Sequence, residues 1–446
     1  MRILSSHIGR LAGAALAFGM ALLAPVSVRA EDAPSPSIFR NSEMASEQPF
    51  TRPPLVVVPS APAQTAQPVA APVAMSASEA ELRKKIGQMI ILGFSGDSAE
   101  TMDATARLIE TGAIGGVIYF KSNVGSLEDV RRMNERFRSA SPGLPPFIAV
   151  DQEGGLVQRL TEAMGFPDTP SAAKIAATMR PAGAETVYER MAQGLAALGF
   201  NLNFGPVVDV DLNSANPVIG KIGRSFGNDP AKVAQYAAAF ISAHHKYGIL
   251  TALKHFPGHG SSAGDTHDGF VDITRTWNRD AELLPYRTLI DKPGMIDMVM
   301  VGHLYNAEAH GAQDQSAQYP ATLSQRWIEG ELRSMLGYSG VVVTDDLNMG
   351  AITKEFGTDT AIVKAIDAGG DILLFSDPGK DPAAFARHVA DVLVEASRSI
   401  TYIPIAIEFS YGRITALKQR IGALPPARQF DAPDPPFPAP ARPFSS

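Results

Sequence analysis

Ile249-Leu250-Thr251-Ala252-Leu253-Lys254-His255-Phe256-Pro257-Gly258-His259-Gly260 begins as an apolar, strand-like run and stops abruptly in two cationic or protonatable side chains. A Pro-Gly turn and a small-residue loop follow, and Asp265-Thr266-His267 then sets a histidine two residues from a carboxylate. A hydrophobic strand that ends in Lys-His points those groups at something in a site. Gly258, Gly260, Ser261, Ser262, Ala263 and Gly264 make the loop after it read as one built to move.

Outward from this strand, seven further short apolar runs repeat the pattern. With it they are Gln88–Leu92, Gly115–Phe120, Phe147–Val150, Leu202–Val210, Leu250–Leu253, Asp297–Val301, Val341–Thr344 and Asp371–Phe375. Segments of helical periodicity separate most of them, Ala184–Leu198 and Pro230–Tyr247 most clearly. Apolar strands alternating with helices predict a parallel sheet covered on its outer face. Eight such units predict an α/β fold closed as a single (β/α)8 TIM-like barrel. No Gly-x-Gly-x-x-Gly turn follows the first strand, which argues against an open dinucleotide-binding sheet.

Ionisable residues collect at the strand ends: Asp151-Gln152-Glu153, Asp209 and Asp211, Lys254-His255, His303, and Asp345-Asp346. In a barrel those ends build the active site. Adjacent residues on a strand face opposite ways, so only one of Asp345 and Asp346 can project into the mouth. The other must cap a helix or bind a backbone group. An aspartate there, close to cations, stays ionised and can serve as a nucleophile. Asp265 beside His267 fixes the imidazole tautomer, as an acid/base group requires. Lys254, Arg159 and Arg224 can grip sugar hydroxyls and lower the pKa of a nearby carboxylate. A metal reading would use His255, His259, His267 and His303. It is disfavoured because no His-x-His opens the first strand and Phe256-Pro257-Gly258 suits a tight turn.

The 446 residues fit one large barrel with flanking segments, and 45 % hydrophobic against 19 % charged residues describe an ordinary globular chain. A net charge of −7 and the lack of a basic run argue against a nucleic-acid partner. Arg2 and Arg10 before the apolar segment Leu11–Val28, with small residues around Ala30, read as a secretory signal over 1–30 cleaved after Ala30. The expected location is periplasmic or secreted, with no stable membrane partner after cleavage. The absence of cysteine excludes disulfides and lipid attachment through cysteine. Residues 31–76 form a Pro/Ala-rich linker, 77–422 the barrel domain and 423–446 a Pro-rich tail.

Seven collinear segments resemble the β-N-acetylglucosaminidases of glycoside hydrolase family 3. They are Val150–Gly155, Gln158-Arg159, Asn203–Val210, Gly223–Gly227, Lys254–Gly260, Asp265–His267 and Thr344–Met349. The resemblance implies that Asp345 is the nucleophile of a covalent glycosyl-enzyme, His267 the acid/base and Asp265 its dyad partner. It implies that Asp151, Arg159, Arg224, Lys254 and His255 hold the terminal N-acetylglucosamine. The general template for retaining glycosidases uses two carboxylates; the histidine in place of one comes from the resemblance alone.

The implied activity is exo-acting removal of N-acetylglucosamine from peptidoglycan fragments (muropeptides) or chitooligosaccharides, with no metal or organic cofactor. Too little chain follows the eighth strand for the second domain that donates a glutamate acid/base in wider relatives. That favours the His-Asp version over a β-glucosidase or β-xylosidase. A phosphorylase, a substrate-assisted mechanism and a non-catalytic cell-wall binding protein are the other readings; the presence of both Asp345 and His267 argues against the last. Leu156 stands where the family often has arginine, Gly205 where it has alanine and Thr266 where it has serine. The larger departure is the export signal, because Gram-negative relatives that recycle cell wall are typically cytoplasmic.

Overall fold

The computed structural model describes residues 77–141, 143–307 and 319–423. The expected signal, the linker and the tail from 424 onward lie outside the described residues. Eight parallel strands form the barrel: β1 (Ile90–Gly93), β2 (Gly116–Tyr119), β3 (Phe147–Val150), β4 (Leu202–Asn203), β5 (Leu250–Phe256), β6 (Met298–Val301), β7 (Val341–Thr344) and β8 (Leu373–Phe375). They pair in chain order, and β8 pairs with β1, Ile90 opposite Leu373. Between β7 and β8 a single parallel bridge, Val343 to Ile372, completes the circuit. Every strand residue is buried, since the inner face meets the other strands' side chains and the outer face meets helices.

Two strands differ from the sequence reading in an informative way. β4 is a two-residue ladder rather than Leu202–Val210, because Pro206 has no N–H to give and interrupts the pairing. The chain still runs alongside β5, where Val207 bridges Lys254 and the Val208 N–H donates to Lys254 O at 2.8 Å. β5 in turn extends three residues beyond Leu253, so Lys254 and His255 belong to the strand itself.

The helices Pro181–Leu198 and Pro230–His245 lie close to the expected ranges. The first ends on Gly199 in a left-handed conformation, and the second starts on Asp229, whose carboxylate accepts from the Ala231 and Lys232 N–H groups. The helix Tyr402–Ala423 covers the amino ends of the strands, burying Ile403, Ile407, Ile414 and Leu417. Arg413 bonds Asp371 at 2.7 Å, and Arg420 pairs with Asp297 at 2.7 Å. The opposite end of the barrel, where the carboxyl ends converge, is left to the loops.

Candidate active site

The site starts at the exit of β3. Gln152 is fully buried; its Oε1 accepts from the Arg159 and Leu160 N–H groups at 2.9 and 3.1 Å. This turns the chain back so that Arg159 Nη2 reaches Asp151 Oδ2 at 3.2 Å. Lys254 Nζ, projecting from β5, lies 2.7 Å from both Asp151 Oδ1 and Glu153 Oε1. Arg224 grips Glu153 with two donors, Nε at 2.8 Å and Nη2 at 2.7 Å. Three cations thus face two carboxylates. Burial works against ionisation of Asp151 and Glu153, but Lys254 beside the first and Arg224 beside the second hold both below the usual carboxylate range. Lys254 is 2 % exposed; burial would lower it, and Asp151 and Glu153 raise it.

His255, the next residue, is fixed from below. Asp209, fully buried at the end of the β4 segment, takes the His255 Nδ1 at 2.7 Å. Its other oxygen accepts from the His255 and His259 N–H groups at 3.1 and 2.8 Å. Arg224 Nη2 lies 3.4 Å from His255 Nε2. A guanidinium can only donate, so Nε2 accepts and the ring proton sits on Nδ1 toward Asp209.

The Asp345-Asp346 pair, just past the end of β7, divides between two roles. Asp346 Oδ1 accepts from the Asn348 and Ser376 N–H groups at 3.0 and 2.9 Å, tying the exit of β7 to that of β8. Asp345 stays half-buried, with its own N–H donated to Val301 O and its Oδ1 accepting from the Asp346 N–H at 2.8 Å. Burial favours its neutral form, yet His303, His255, the Asp346 N–H and His267 outweigh this and set its pKa at about 2. Asp345 is therefore an anion at any neutral pH.

His267 lies on the loop after β5, with its Nδ1 and its main-chain N–H both on Asp265 Oδ1 at 2.7 and 2.8 Å. Its ring is 67 % exposed, leaving Nε2 free to meet a ligand. The structure thus places Asp345, His267, Asp265, Asp151, Arg159, Arg224, Lys254 and His255 on the same end of the barrel. His259 sits behind them as a loop residue, its Nδ1 2.7 Å from Ser262 Oγ and its pKa brought down to about 4 by burial.

The loop itself differs from its composition. Gly258 to Ser262 are buried, and only from Ala263 does the chain reach the surface. Gly258 has φ +125°, and a methyl group there would come within 2.4 Å of Glu282 Oε2. One on Gly260 would come within 1.7 Å of Val210 O. These glycines serve close packing.

Three residues absent from the candidate site set complete it. Glu153 anchors Arg224 and Lys254, and Asp209 anchors His255. His303, buried at the end of β6, has Nε2 2.9 Å from Asp346 O and Nδ1 2.8 Å from Thr322 Oγ1. All three stand at strand ends, which was the available signal.

An ionised, half-buried carboxylate at the mouth of a (β/α)8 barrel, with a carboxylate-tethered imidazole beside it, is equipment for nucleophilic and acid/base chemistry of the glycosidase type. Residues 81–400 match the glycosyl hydrolase family 3 N terminal domain, and the chain belongs to that family. It is 34 % identical over 368 residues to beta-hexosaminidase A of Pseudoalteromonas piscicida, covering 75 % of this chain and 60 % of that one. Beta-hexosaminidase LpqI of Mycobacterium tuberculosis is 33 % identical over 373 residues, covering 80 % of this chain and 89 % of its own length. A family 3 β-N-acetylglucosaminidase structure from Paenibacillus sp. superposes with a TM-score of 0.69 at 34 % identity, covering 76 % of this chain and 62 % of the other. The chain therefore spans about three fifths of two of these relatives and nearly all of the third.

Proposed function

We propose that this chain is an exo-acting, retaining β-N-acetylglucosaminidase that removes terminal N-acetylglucosamine from muropeptides or chitooligosaccharides. The observation that carries the reading is the placing at one end of the barrel of half-buried Asp345, whose neighbours His303, His255 and His267 favour its ionised form, and of His267, whose Nδ1 lies 2.7 Å from Asp265 Oδ1. The hexosaminidase names of the relatives support the sugar.

In the first step the Asp345 carboxylate attacks the anomeric carbon as the glycosidic bond breaks. The departing oxygen takes the proton from protonated His267 Nε2, giving a covalent glycosyl-enzyme and a free aglycone alcohol. In the second step the neutral Nε2 takes a proton from water, whose oxygen attacks the anomeric carbon and releases Asp345. Two inversions retain configuration. Asp265 keeps the Nδ1 proton in place throughout, so only Nε2 exchanges. Asp151, Arg159, Arg224, Lys254 and His255 hold the non-reducing sugar, their charges fixed by mutual pairing so that they need not reorganise when it arrives.

We also propose export, with residues 1–30 as a cleaved signal and a periplasmic or secreted product; sequencing the amino terminus of the mature protein tests it. A slow fluorosugar substrate is expected to label Asp345, read by mass spectrometry of the peptide that contains it. Turnover without any label on that residue refutes the nucleophile. Product analysis on muropeptides and chitooligosaccharides, with and without phosphate, separates hydrolysis from phosphorolysis.

A further inference from the structure

The ring of His267 is two-thirds exposed, so packing against it does not set its position. The main chain around it is fixed instead. The Gly350 N–H donates to His267 O at 3.3 Å, the Ala351 N–H donates to Thr266 O at 3.2 Å, and Lys354 Nζ donates to Asp268 O at 2.8 Å. Those three donors belong to the short helix Gly350–Thr353 and the residue that ends it. That helix continues from the exit of β7, and Asp346 fixes the connecting segment through the Asn348 and Ser376 N–H groups. The nucleophile candidate and the support of the acid/base candidate therefore lie on one braced stretch of chain.

The fit at Gly350 leaves no space. A methyl group on it would stand 2.7 Å from His267 O and 3.2 Å from the Asp268 carbonyl carbon, both main-chain atoms that cannot rotate away. Thr266, on the underside of the loop, is 2 % exposed, so the loop rests on this seat with little gap.

We propose that Gly350 and Lys354 are positioning residues, and that the Gly350–Thr353 helix is the seat that sets the height of His267 above Asp345. The proposal rests on the reading of His267 as the acid/base. Any residue larger than glycine at 350 lifts the loop; loss of the Lys354 contact loosens its far end. In the first step, which kcat/KM reports, a displaced acid harms only bond cleavage that needs protonation; the loss of the base in the second step falls on kcat. A poor leaving group such as a sugar alcohol feels it, whereas an activated aryloxide departs without help.

The test uses the full chain with Gly350→Ala and Lys354→Met, and with His267→Ala as reference. For Gly350→Ala, kcat/KM on chitobiose is expected to fall about 10²-fold, the scale of an ångström misplacement. On an activated aryl N-acetylglucosaminide it should stay within about threefold, because the general-acid contribution is then not needed. Lys354→Met should show the same selectivity in weaker form. Equal losses on both substrates, or none on chitobiose, overturn the proposal.

Amide hydrogen exchange at positions 350 and 351 gives a readout independent of turnover. Faster exchange in Gly350→Ala is expected, and unchanged exchange refutes the seat. Should His267→Ala itself fail to discriminate between leaving groups, the acid/base reading falls, while the exchange data still decide whether the seat exists.

Discussion

Replacement of Lys418 by methionine is expected to change how the stability of this barrel depends on pH. Lys418 lies on the covering helix, fully buried, with Nζ donating to Gln88 Oε1 at 2.8 Å and to Gly115 O at 2.6 Å. Nζ also sits 4.7 Å from the centre of the Phe147 ring, and among the described residues no carboxylate forms an ion pair with it. Burial brings its pKa down from 10.5 to about 7, a fall of 10.5 − 7 = 3.5. At about 1.4 kcal/mol per unit this is a penalty of about 5 kcal/mol on the charged form. The sign follows from proton counts: between pH 7 and 10.5 the unfolded chain holds the Lys418 proton and the folded chain does not. Stability contributed at this position therefore rises with pH across that window, and below pH 7 the full penalty is present. Methionine has no proton to lose. Denaturation by urea at pH 7 and at pH 10 should show the variant's advantage over the parent shrinking by about 4 kcal/mol between them. Other groups titrate equally in both proteins and cancel in the difference. At pH 7 the net gain is smaller than the penalty, because the stranded Gly115 carbonyl costs about 1–3 kcal/mol. Parallel stability curves for the two proteins from pH 7 to 10 would refute the reasoning.

Glu153→Gln leaves Arg224 and Lys254 without their shared anion in a buried place, and breaking such a pair costs about 3–5 kcal/mol. A lower Tm together with a raised KM is expected, whereas a KM change at unaltered Tm would show that Glu153 meets the ligand and is not an anchor. His303→Gln removes the neighbour whose charge most favours ionised Asp345, so the Asp345 pKa should rise from about 2. The acid limb of kcat/KM then moves to higher pH, and an unmoved limb would separate His303 from Asp345.

The barrel was legible because each strand is buried on both faces and so reads as a continuous apolar run between helical segments. Boundaries failed where a polar residue remained inside the ladder or a backbone donor was missing. Lys254 and His255 look like the end of β5, yet the strand runs on to Phe256 with a shift of register after Leu253, and Asp151, Glu153 and Asp209 bind the two polar side chains there. Pro206 shortens β4 in the opposite sense. Asp345 and Asp346 lie just past the end of β7, and there too the pair divides, with Asp346 accepting from the Asn348 and Ser376 N–H groups.

What could not be read was partnership across the barrel. Glu153 and Asp209 stand within the quoted motifs, but their roles depend on Arg224 and His255, which only the closed sheet brings within 2.7 Å of them. Lys418 gives even less local signal, because one lysine in a helix of mixed pattern looks like a solvated charge. The opening stretch shows the same ambiguity in its glycines. A run of Gly and Ser has one composition and two physical causes: freedom to move, or the need for backbones to touch. At Gly258 and Gly260 the second cause holds, since the neighbouring carboxylate and carbonyl occupy the space a side chain would need. The surface-reaching part of the loop begins only at Ala263, and there His267 is held through its main chain by the helix that follows β7. In the proposed reaction this arrangement would leave the His267 ring open to a departing sugar while its main chain is held by Gly350.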